Sequence, residues 1–276
     1  MSYPKITIVT PSYNQGEFLE ETILSVLSQE YPNLEYIICD GGSTDNSVEI
    51  IKKYADRLAW WCSEKDKGQT VAINKGMHRA TGDIVGWINS DDVLLPGALL
   101  EVGRFFMKHP DCEFANGNGA VIGRDGTVIK FTHLVVNKWF MERGYSNIVQ
   151  QGMFWRRDLF GKLGFLDETF HAIMDVEWLI RNYEGGTKIM LLDRPLGAIR
   201  VYEETKTAMG GQIWKNDRSK LQQMYGGRYY RDPLVHNKYR FLFYAYKYLR
   251  GCYLKNWLWE RRYKGRSYKE VCIGKN

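Results

Sequence analysis

Three groups of polar residues have types and spacing that could do chemistry. The first is Asn89-Ser90-Asp91-Asp92, which follows the apolar run Ile84 to Ile88 and precedes Pro96 and an apolar-periodic stretch. Adjacent carboxylates raise each other's proton affinity unless a cation stands by. Hard divalent cations such as Mn²⁺ or Mg²⁺ take oxygen ligands and bridge to substrate phosphates. On these residues alone two readings stay open: a metal–diphosphate site, or caps for the next helix. The second group is Asp175 with Glu177, at the start of a periodic segment whose Trp178, Leu179 and Tyr183 should face inward. A carboxylate there either caps the helix or works at a pocket rim as a general base. The third is Asp40, which ends an apolar run and leads into Gly41-Gly42-Ser43-Thr44-Asp45.

The elements that must position these groups alternate. Strands are expected at residues 5–10, 35–40, 58–62 and 84–88, with helices over the Phe18–Leu27 stretch, from Asn46 to about Ala55, and over Gln69–Ala80. Asn46 and Glu49 have the spacing of a capping pair. Strand–helix alternation at this spacing implies an α/β fold with a parallel sheet and right-handed crossovers. Thr10-Pro11-Ser12-Tyr13, Asp40 and the Asp91/Asp92 pair then sit at carboxyl ends of strands, where open α/β sheets bind ligands. No G-x-x-x-x-G-K-[ST] and no G-x-G-x-x-G follows the first strand, which disfavours ATPase and dinucleotide readings. Beyond Gly97 a helix, a hairpin turning at Arg124-Asp125-Gly126, and a strand at 150–157 leading to a helix at Asp158 are expected. A final strand at 189–192 and an extended stretch at 199–202 complete the pattern. Residues 133–148 read as a loop or short helix near the cleft mouth.

The chain of 276 residues carries a net charge of +6. Residues 206–276 hold 17 Lys or Arg against 4 Asp or Glu, so a basic tail follows a mildly acidic front part. Along residues 238–262 the basic residues Arg240, Lys247, Arg250, Lys255, Arg261 and Arg262 gather on one arc of a single helical wheel. Leu242, Ala245, Tyr246, Leu249, Cys252 and Tyr253 lie opposite, and Gly251 is a point where the helix could divide. Such a helix fits a membrane interface; packing on the catalytic part or on a second copy of the chain, as a homodimer, is the bland alternative. No motif supports nucleic-acid binding. Five scattered cysteines lack metal spacing and read as reduced thiols. The early first strand leaves no room for a secretory leader, so a cytoplasmic location is expected.

Taken together, Ile8-Val9-Thr10-Pro11-Ser12-Tyr13-Asn14, Asp40-Gly41-Gly42-Ser43-Thr44-Asp45, Asp66-Lys67-Gly68-Gln69, Asn74-Lys75-Gly76, Ala80-Thr81-Gly82-Asp83, Asn89-Ser90-Asp91-Asp92 and Asp175-Val176-Glu177-Trp178 resemble the family-2 inverting glycosyltransferases with the GT-A fold. The resemblance covers about residues 4–207. It implies a Rossmann-like, mainly parallel sheet flanked by helices, with a basic aromatic helical extension after it. It also implies a nucleotide-sugar donor, UDP-linked by preference, held by Thr10, Pro11, Tyr13 and Asp40, with Asp40 accepting from the uracil N3–H. The matched motifs add Lys67, Gln69, Asn74 and Ser90 to that site, and Gln150 and Gln151 sit where relatives place donor or acceptor contacts. Asn89 replaces the first acid of the family's D-x-D motif and is expected on the ribose. The divalent cation (Mn²⁺ or Mg²⁺) falls to Asp91, with Asp92 second, and the substitution leaves strict metal dependence open. Asp175 takes the catalytic base, with Glu177 as the fallback because Met174 stands where relatives often carry Glu. Arg200, Lys206 and Thr207 occupy the segment that closes over the diphosphate in relatives.

The implied organisation is a catalytic domain over 1–207, with a nucleotide-binding half to about 95 and an acceptor half from 96, then an extension over 208–276. The implied activity is sugar transfer from a nucleotide diphosphate to a glycan or polyprenyl-diphosphate-linked acceptor in surface polysaccharide or lipopolysaccharide synthesis. The enzyme would be peripheral on the inner face of the cytoplasmic membrane. Two rivals stand beside it: a sugar-phosphate nucleotidyltransferase, and a catalytically idle nucleotide-sugar-binding or scaffold protein.

Overall fold

The structure is a computed structural model that describes residues 2–143, 145, 148–203, 211–226, 229 and 233–273, with only the backbone of 233–238. Lys206 and Thr207, and with them the expected domain boundary, lie outside the described residues.

Four parallel strands form the part that begins the chain: β1 (Ile6–Ser12), β2 (Leu34–Asp40), β3 (Trp60–Ser63) and β4 (Ile84–Trp87), in spatial order β3-β2-β1-β4. Helices α1 (Gly16–Leu27), α2 (Ser47–Lys53) and α3 (Gln69–Arg79) make the crossovers. β1 is buried along its whole length, and a strand covered on both faces needs apolar residues in succession rather than alternation. Ile8 and Ile38 enter one core layer, with Leu19 and Ile23 of α1; Val9 and Ile37 enter the other, with Ala72 and Ile73 of α3.

The sheet continues as a mixed one. β8 (Met153–Arg156) runs antiparallel to β4, then come β6 (Phe114–Ile122), β9 (Ile189–Arg200) and the two-residue β5 (Val93–Leu94), with β7 (Val128–Thr132) hairpinned to β6. Helices α4 (Ala98–Lys108), α5 (Lys138–Met141), α6 (Leu159–Leu163) and α7 (Met174–Glu184) link these strands. After them come α8 (Gln212–Met224), α9 (Pro233–Leu249) and α10 (Cys252–Tyr263).

The local expectations hold in outline and fail at four places. The Asn46–Glu49 capping pair does not form, since Asn46 makes no side-chain cap. Asp45 does that work, accepting from Ser47 N at 3.0 Å and from Gly16 N at 2.8 Å, so one carboxylate ties the starts of α1 and α2 together. Residues 189–192 and 199–200 belong to one strand, because pairing with β6 and β5 carries the chain through the polar stretch between them. β5 itself gives no sequence signal, being two residues long.

The tail is the fourth correction. Gly251 adopts φ 68°, a left-handed conformation open to glycine, and separates α9 from α10. Two helices cannot share one wheel. Phe243 is the buried anchor of α9 against Phe140 and Tyr145. Leu242 and Leu249, opposite the expected basic arc, face solvent, and Lys247 of that arc is half-buried. Among the described residues, no helix is long and apolar enough to cross a membrane. All five cysteines are free thiols.

Candidate active site

The carboxyl ends of β1, β2 and β4, the 3-10 turn Gln150–Gly152, the start of α7 and one face of α8 enclose a cleft of about 1200 Å³.

The β1 and β2 loops are bound to each other. Asn14, at φ 51°, accepts from Thr44 N at 2.8 Å, and its own N–H donates to Ser43 Oγ at 2.8 Å. Asp40 holds the turn between them: its carboxylate accepts from Gly42 N, Ser43 N, Ser43 Oγ and Ser63 Oγ at 2.5–3.1 Å. Gly42 sits at φ 82°, which this turn requires and a side chain would strain. Asp40 is therefore buried and committed to this turn, behind Gly41 on the cleft lining. Thr10 is likewise buried, its hydroxyl 3.0 Å from that of Tyr36. Pro11, Ser12 and the exposed Tyr13 do line the cleft. Asp66 is the acid that reaches it next to Gly41, with Oδ1 accepting from Gly68 N at 2.8 Å. Lys67 points to solvent off the lining; Lys65 takes the place expected for it.

The aspartate loop is fastened on every side. Asp92 N donates to Asn89 O at 3.1 Å, closing a turn, and Thr22 Oγ1 donates to the carbonyls of Ser90 and Asp92. Asp92 is buried, with Oδ1 accepting from Arg200 N and Oδ2 from Asn89 Nδ2 and Gln151 Nε2, the last at 2.6 Å. Burial, and then the neighbouring Asp91 charge, push its carboxyl upward, against three donors that favour the ionised form. Arg200 is sealed from solvent and ties Asp91 O to the carbonyls of Gly123 and Arg124 and to the Glu21 carboxylate. It is a clamp beneath the loop rather than a cover over a diphosphate. Asn89 Oδ1 accepts from Gln69 Nε2 at 2.7 Å, so both side chains hold each other at the cleft floor.

Asp91 lines the cleft, and Tyr202 donates its hydroxyl to Asp91 Oδ2 at 2.9 Å. Among the described residues no group of three His, Cys, Asp or Glu gathers as a ready-made metal cage. One carboxylate at an open cleft is still the donor set that Mg²⁺-type ions use when substrate phosphates and water complete the shell. The residues fit such an ion with Asp91 as its protein ligand. Asp92 is spent on the loop.

Asp175 also lines the cleft, in the first turn of α7, one residue inside Met174. Its Oδ1 accepts from Val176 N at 2.8 Å, and burial pushes its carboxyl up to about 6. Glu177 is buried, makes two bonds to Arg181 and accepts from Tyr225 Oη, and it does not line the cleft. The segment before α7 is clamped from both sides. Asn74 brackets Leu166 through its N–H and carbonyl and also donates to Glu168; Thr70 Oγ1 donates to Phe170 O. Asn74 is therefore buried off the cleft lining and holds the segment that leads to Asp175. From the other side, Asp217 of α8 accepts from the backbone N–H groups of His171, Ala172 and Ile173 at 2.7–3.3 Å.

Three buried polar atoms on lining residues, Ser12 Oγ, Gln150 Oε1 and Trp214 Nε1, have no partner among the described residues. Buried polar atoms are normally paired, so these are places a polar ligand would satisfy. Sequence reasoning did not single out Asp66, Tyr202, Asp217 or the face of α8. Asp66 stands inside a quoted motif and was within reach; the others belong to no motif, and only chain folding brings them to the cleft. Trp60 and Trp61 do not line it.

The profile described as Glycosyl transferase family 2 matches residues 7–170. A Bacillus subtilis relative named for teichuronic acid biosynthesis, TuaG, is 35% identical over 134 residues, 47% of this chain and 53% of that protein. An Escherichia coli protein, the UDP-Glc:alpha-D-GlcNAc-diphosphoundecaprenol beta-1,3-glucosyltransferase WfgD, is 32% identical over 127 residues, 46% of this chain and 50% of its own. The chain thus spans about half the length of these curated relatives. Among solved structures, the Pyrobaculum calidifontis mannosyltransferase PcManGT with GDP-Man and Mn²⁺ superposes with a TM-score of 0.60 at 17% identity, over 81% of this chain and 65% of the other. That likeness establishes the GT-A type of fold.

Proposed function

The chain belongs to glycosyl transferase family 2, and from that premise we propose that it transfers a sugar, with inversion, from a nucleoside diphosphate to an acceptor hydroxyl in bacterial surface-glycan synthesis. The observation that carries this reading is that two acids from different elements line one cleft, Asp91 after β4 and Asp175 in the first turn of α7. Inversion needs one base on the face away from the leaving group and no second nucleophilic carboxylate. Asp175 is that base: it takes the acceptor hydroxyl's proton as the oxygen bonds to the anomeric carbon and the bond to the diphosphate breaks. A carboxyl with its affinity for protons raised to about 6 is matched to this task near neutrality.

Asp91, steadied by Tyr202, is the residue that would hold a divalent cation. When bound there, such an ion supplies positive charge against the charge gathering on the departing diphosphate. Pro11, Tyr13, Asp66, Gln69 and Asn89 border the nucleotide, and Ser12 Oγ and Gln150 Oε1 stand ready as polar contacts. A UDP donor is preferred, in line with the WfgD relative, whose name specifies UDP-Glc and a lipid diphosphate acceptor.

The same reading places the enzyme on the inner face of the cytoplasmic membrane. Phe241, Tyr248, Leu249, Leu254 and Trp257 are at least half exposed on α9 and α10, among the exposed cations Arg250, Arg261 and Arg262. Exposed apolar side chains set among cations suit an anionic interface.

The test is a screen of UDP-, GDP- and TDP-sugars for nucleotide release, with and without Mn²⁺, together with calorimetry of the free nucleotides. Release from one donor class, stimulated by acceptor, is expected. Pyrophosphate release from a nucleoside triphosphate and a sugar phosphate would point to the nucleotidyltransferase reading. Tight UDP binding with neither hydrolysis nor transfer across many acceptors would leave the idle binding protein.

A further inference from the structure

α8 lies beyond the family-matched residues 7–170 and carries no recognised motif, yet it forms one wall of the cleft. Trp214, Lys215, Arg218, Ser219 and Gln222 line it. They fall at spacings of three and four, so they share one face of the helix. The anchoring residues are Asp217 and Leu221, both buried. Asp217 sits between the two cations in sequence and bonds the backbone immediately ahead of Asp175, so whatever this face holds lies beside the base.

The face has an unspent set of donors. Lys215 and Arg218 are exposed and make no ion pair with a described residue, whereas Lys220 on the same helix pairs with Asp167 at 3.6 Å. The Arg218 guanidinium stands 5.6 Å from the centre of the Trp214 ring. The Trp214 indole N–H is buried and has no acceptor among the described residues. Two cations and an indole donor gathered around space, with no acid on the same face, match a group of negative oxygens. The cleft's volume of about 1200 Å³ exceeds the roughly 300–1,000 Å³ usual for one small ligand, which leaves room for an acceptor beside the donor.

We propose that the face of α8 formed by Trp214, Lys215 and Arg218 is an acceptor subsite that holds a phosphate or diphosphate group of the acceptor while the acceptor's hydroxyl lies against Asp175. It rests on the transfer reading above and adds the acceptor's chemical class: a saccharide carried on, or substituted by, a phosphate ester. The anion comes either from a lipid diphosphate or from a free phosphorylated glycan, and both present the same oxygens to Lys215 and Arg218.

The experiment titrates the full chain, already saturated with UDP, with farnesyl diphosphate, inorganic pyrophosphate or farnesol, and reads binding by calorimetry. The same titrations are run on the Lys215→Ala/Arg218→Ala protein, and UDP affinity is measured separately for both. Farnesyl diphosphate should bind the UDP-loaded protein, and the double substitution should weaken it at least about tenfold, the scale of losing hydrogen bonds to a charged group. UDP affinity should stay unchanged, and farnesol should respond equally in both proteins. Arg218→Lys, which keeps the charge, should recover part of the loss. Equal affinities for farnesyl diphosphate and pyrophosphate support a site for the anion alone; tighter farnesyl diphosphate supports a lipid-borne one. Unchanged farnesyl diphosphate binding in the double variant overturns the subsite and leaves the transferase reading intact. So does a fall in UDP affinity, which would assign the two cations to the donor, and so does simple displacement of UDP. No UDP binding by either protein overturns the donor reading, and the subsite with it.

Discussion

On the donor wall the acids are mostly spent, and on the α8 wall the cations are mostly free. Asp40 and Asp92 satisfy seven donors between them, from their own loops and from the strand ends and the turn packed on these. Asp45 does the same at the starts of two helices. Lys215 and Arg218 pair with no described residue. The difference teaches that a motif rich in acids at strand ends is first a device for shaping loops. A carboxylate can hold several backbone N–H groups at fixed positions, and an unpaired buried N–H costs about 1–3 kcal/mol. Asp91 and Asp92 then both border the cleft, Asp92 buried and bonded to the loop and Asp91 beside it. α8 needs no such shaping because a helix satisfies its own backbone, so its side chains are left for a ligand.

The sharpest break of this comparison is at the residue between the walls. Asp175→Asn should lower kcat about 10²–10⁴-fold, measured as nucleotide release with acceptor, while calorimetric UDP affinity is retained. In the unsubstituted protein kcat/KM should fall as pH drops through about 6, since the base must be ionised. The linkage to stability has the opposite sense. Its folded affinity for protons exceeds the ordinary value of 3.8, so its protonation favours the native state below about pH 4, and that contribution is lost as pH rises through about 6. The Asn variant should therefore melt at or above the parent's temperature at pH 8. Full transfer by Asp175→Asn, or a pH profile flat through 6, would sink the assignment.

A smaller effect separates spent from presented acids. Asp92→Ala strands Arg200 N–H and the amide of Gln151, and should cost about 1–3 kcal/mol in chemical denaturation. Asp91→Ala should leave the denaturation midpoint near the parent's and abolish any gain in UDP affinity on adding Mn²⁺. If the two variants behave alike in both assays, the division between holding and presenting is wrong.

The smallest effect belongs to the tail. Replacing Arg250, Arg261 and Arg262 by Gln should release the protein from vesicles rich in anionic lipid, by about 1 kcal/mol per charge. UDP affinity should not change. Cosedimentation that ignores both these charges and the lipid's charge would favour a protein partner for this surface.

Much of the frame was legible in order along the chain. The runs at Ile6–Thr10, Glu35–Asp40 and Ile84–Trp87 are apolar because their strands are covered on both faces, and the helices between them carry their own periodicity. The hairpin at Arg124-Asp125-Gly126 and the break at Gly251 were legible because glycine marks them locally. The tail's buried face was not, because a single helical wheel does not span the break at Gly251 that separates α9 from α10. Glu177 was plausible as a base from its place in the motif. Its engagement away from the cleft depends on Arg181 one helical turn on and on Tyr225 from beyond α8.

By itself, then, the sequence determined the α/β order of elements, the strand ends at which polar loops gather, and the motifs that mark the family, because all of these follow from local composition and period. Only the tertiary structure decided which carboxylates face the cleft and which are consumed, since that depends on N–H groups brought from distant segments. It alone decided that Asn74 and Asp217 grip the same segment from opposite sides to aim Asp175, and that a helix without any motif supplies a cleft wall. Burial and pairing are properties of neighbours in space, and a chain read in order does not contain them.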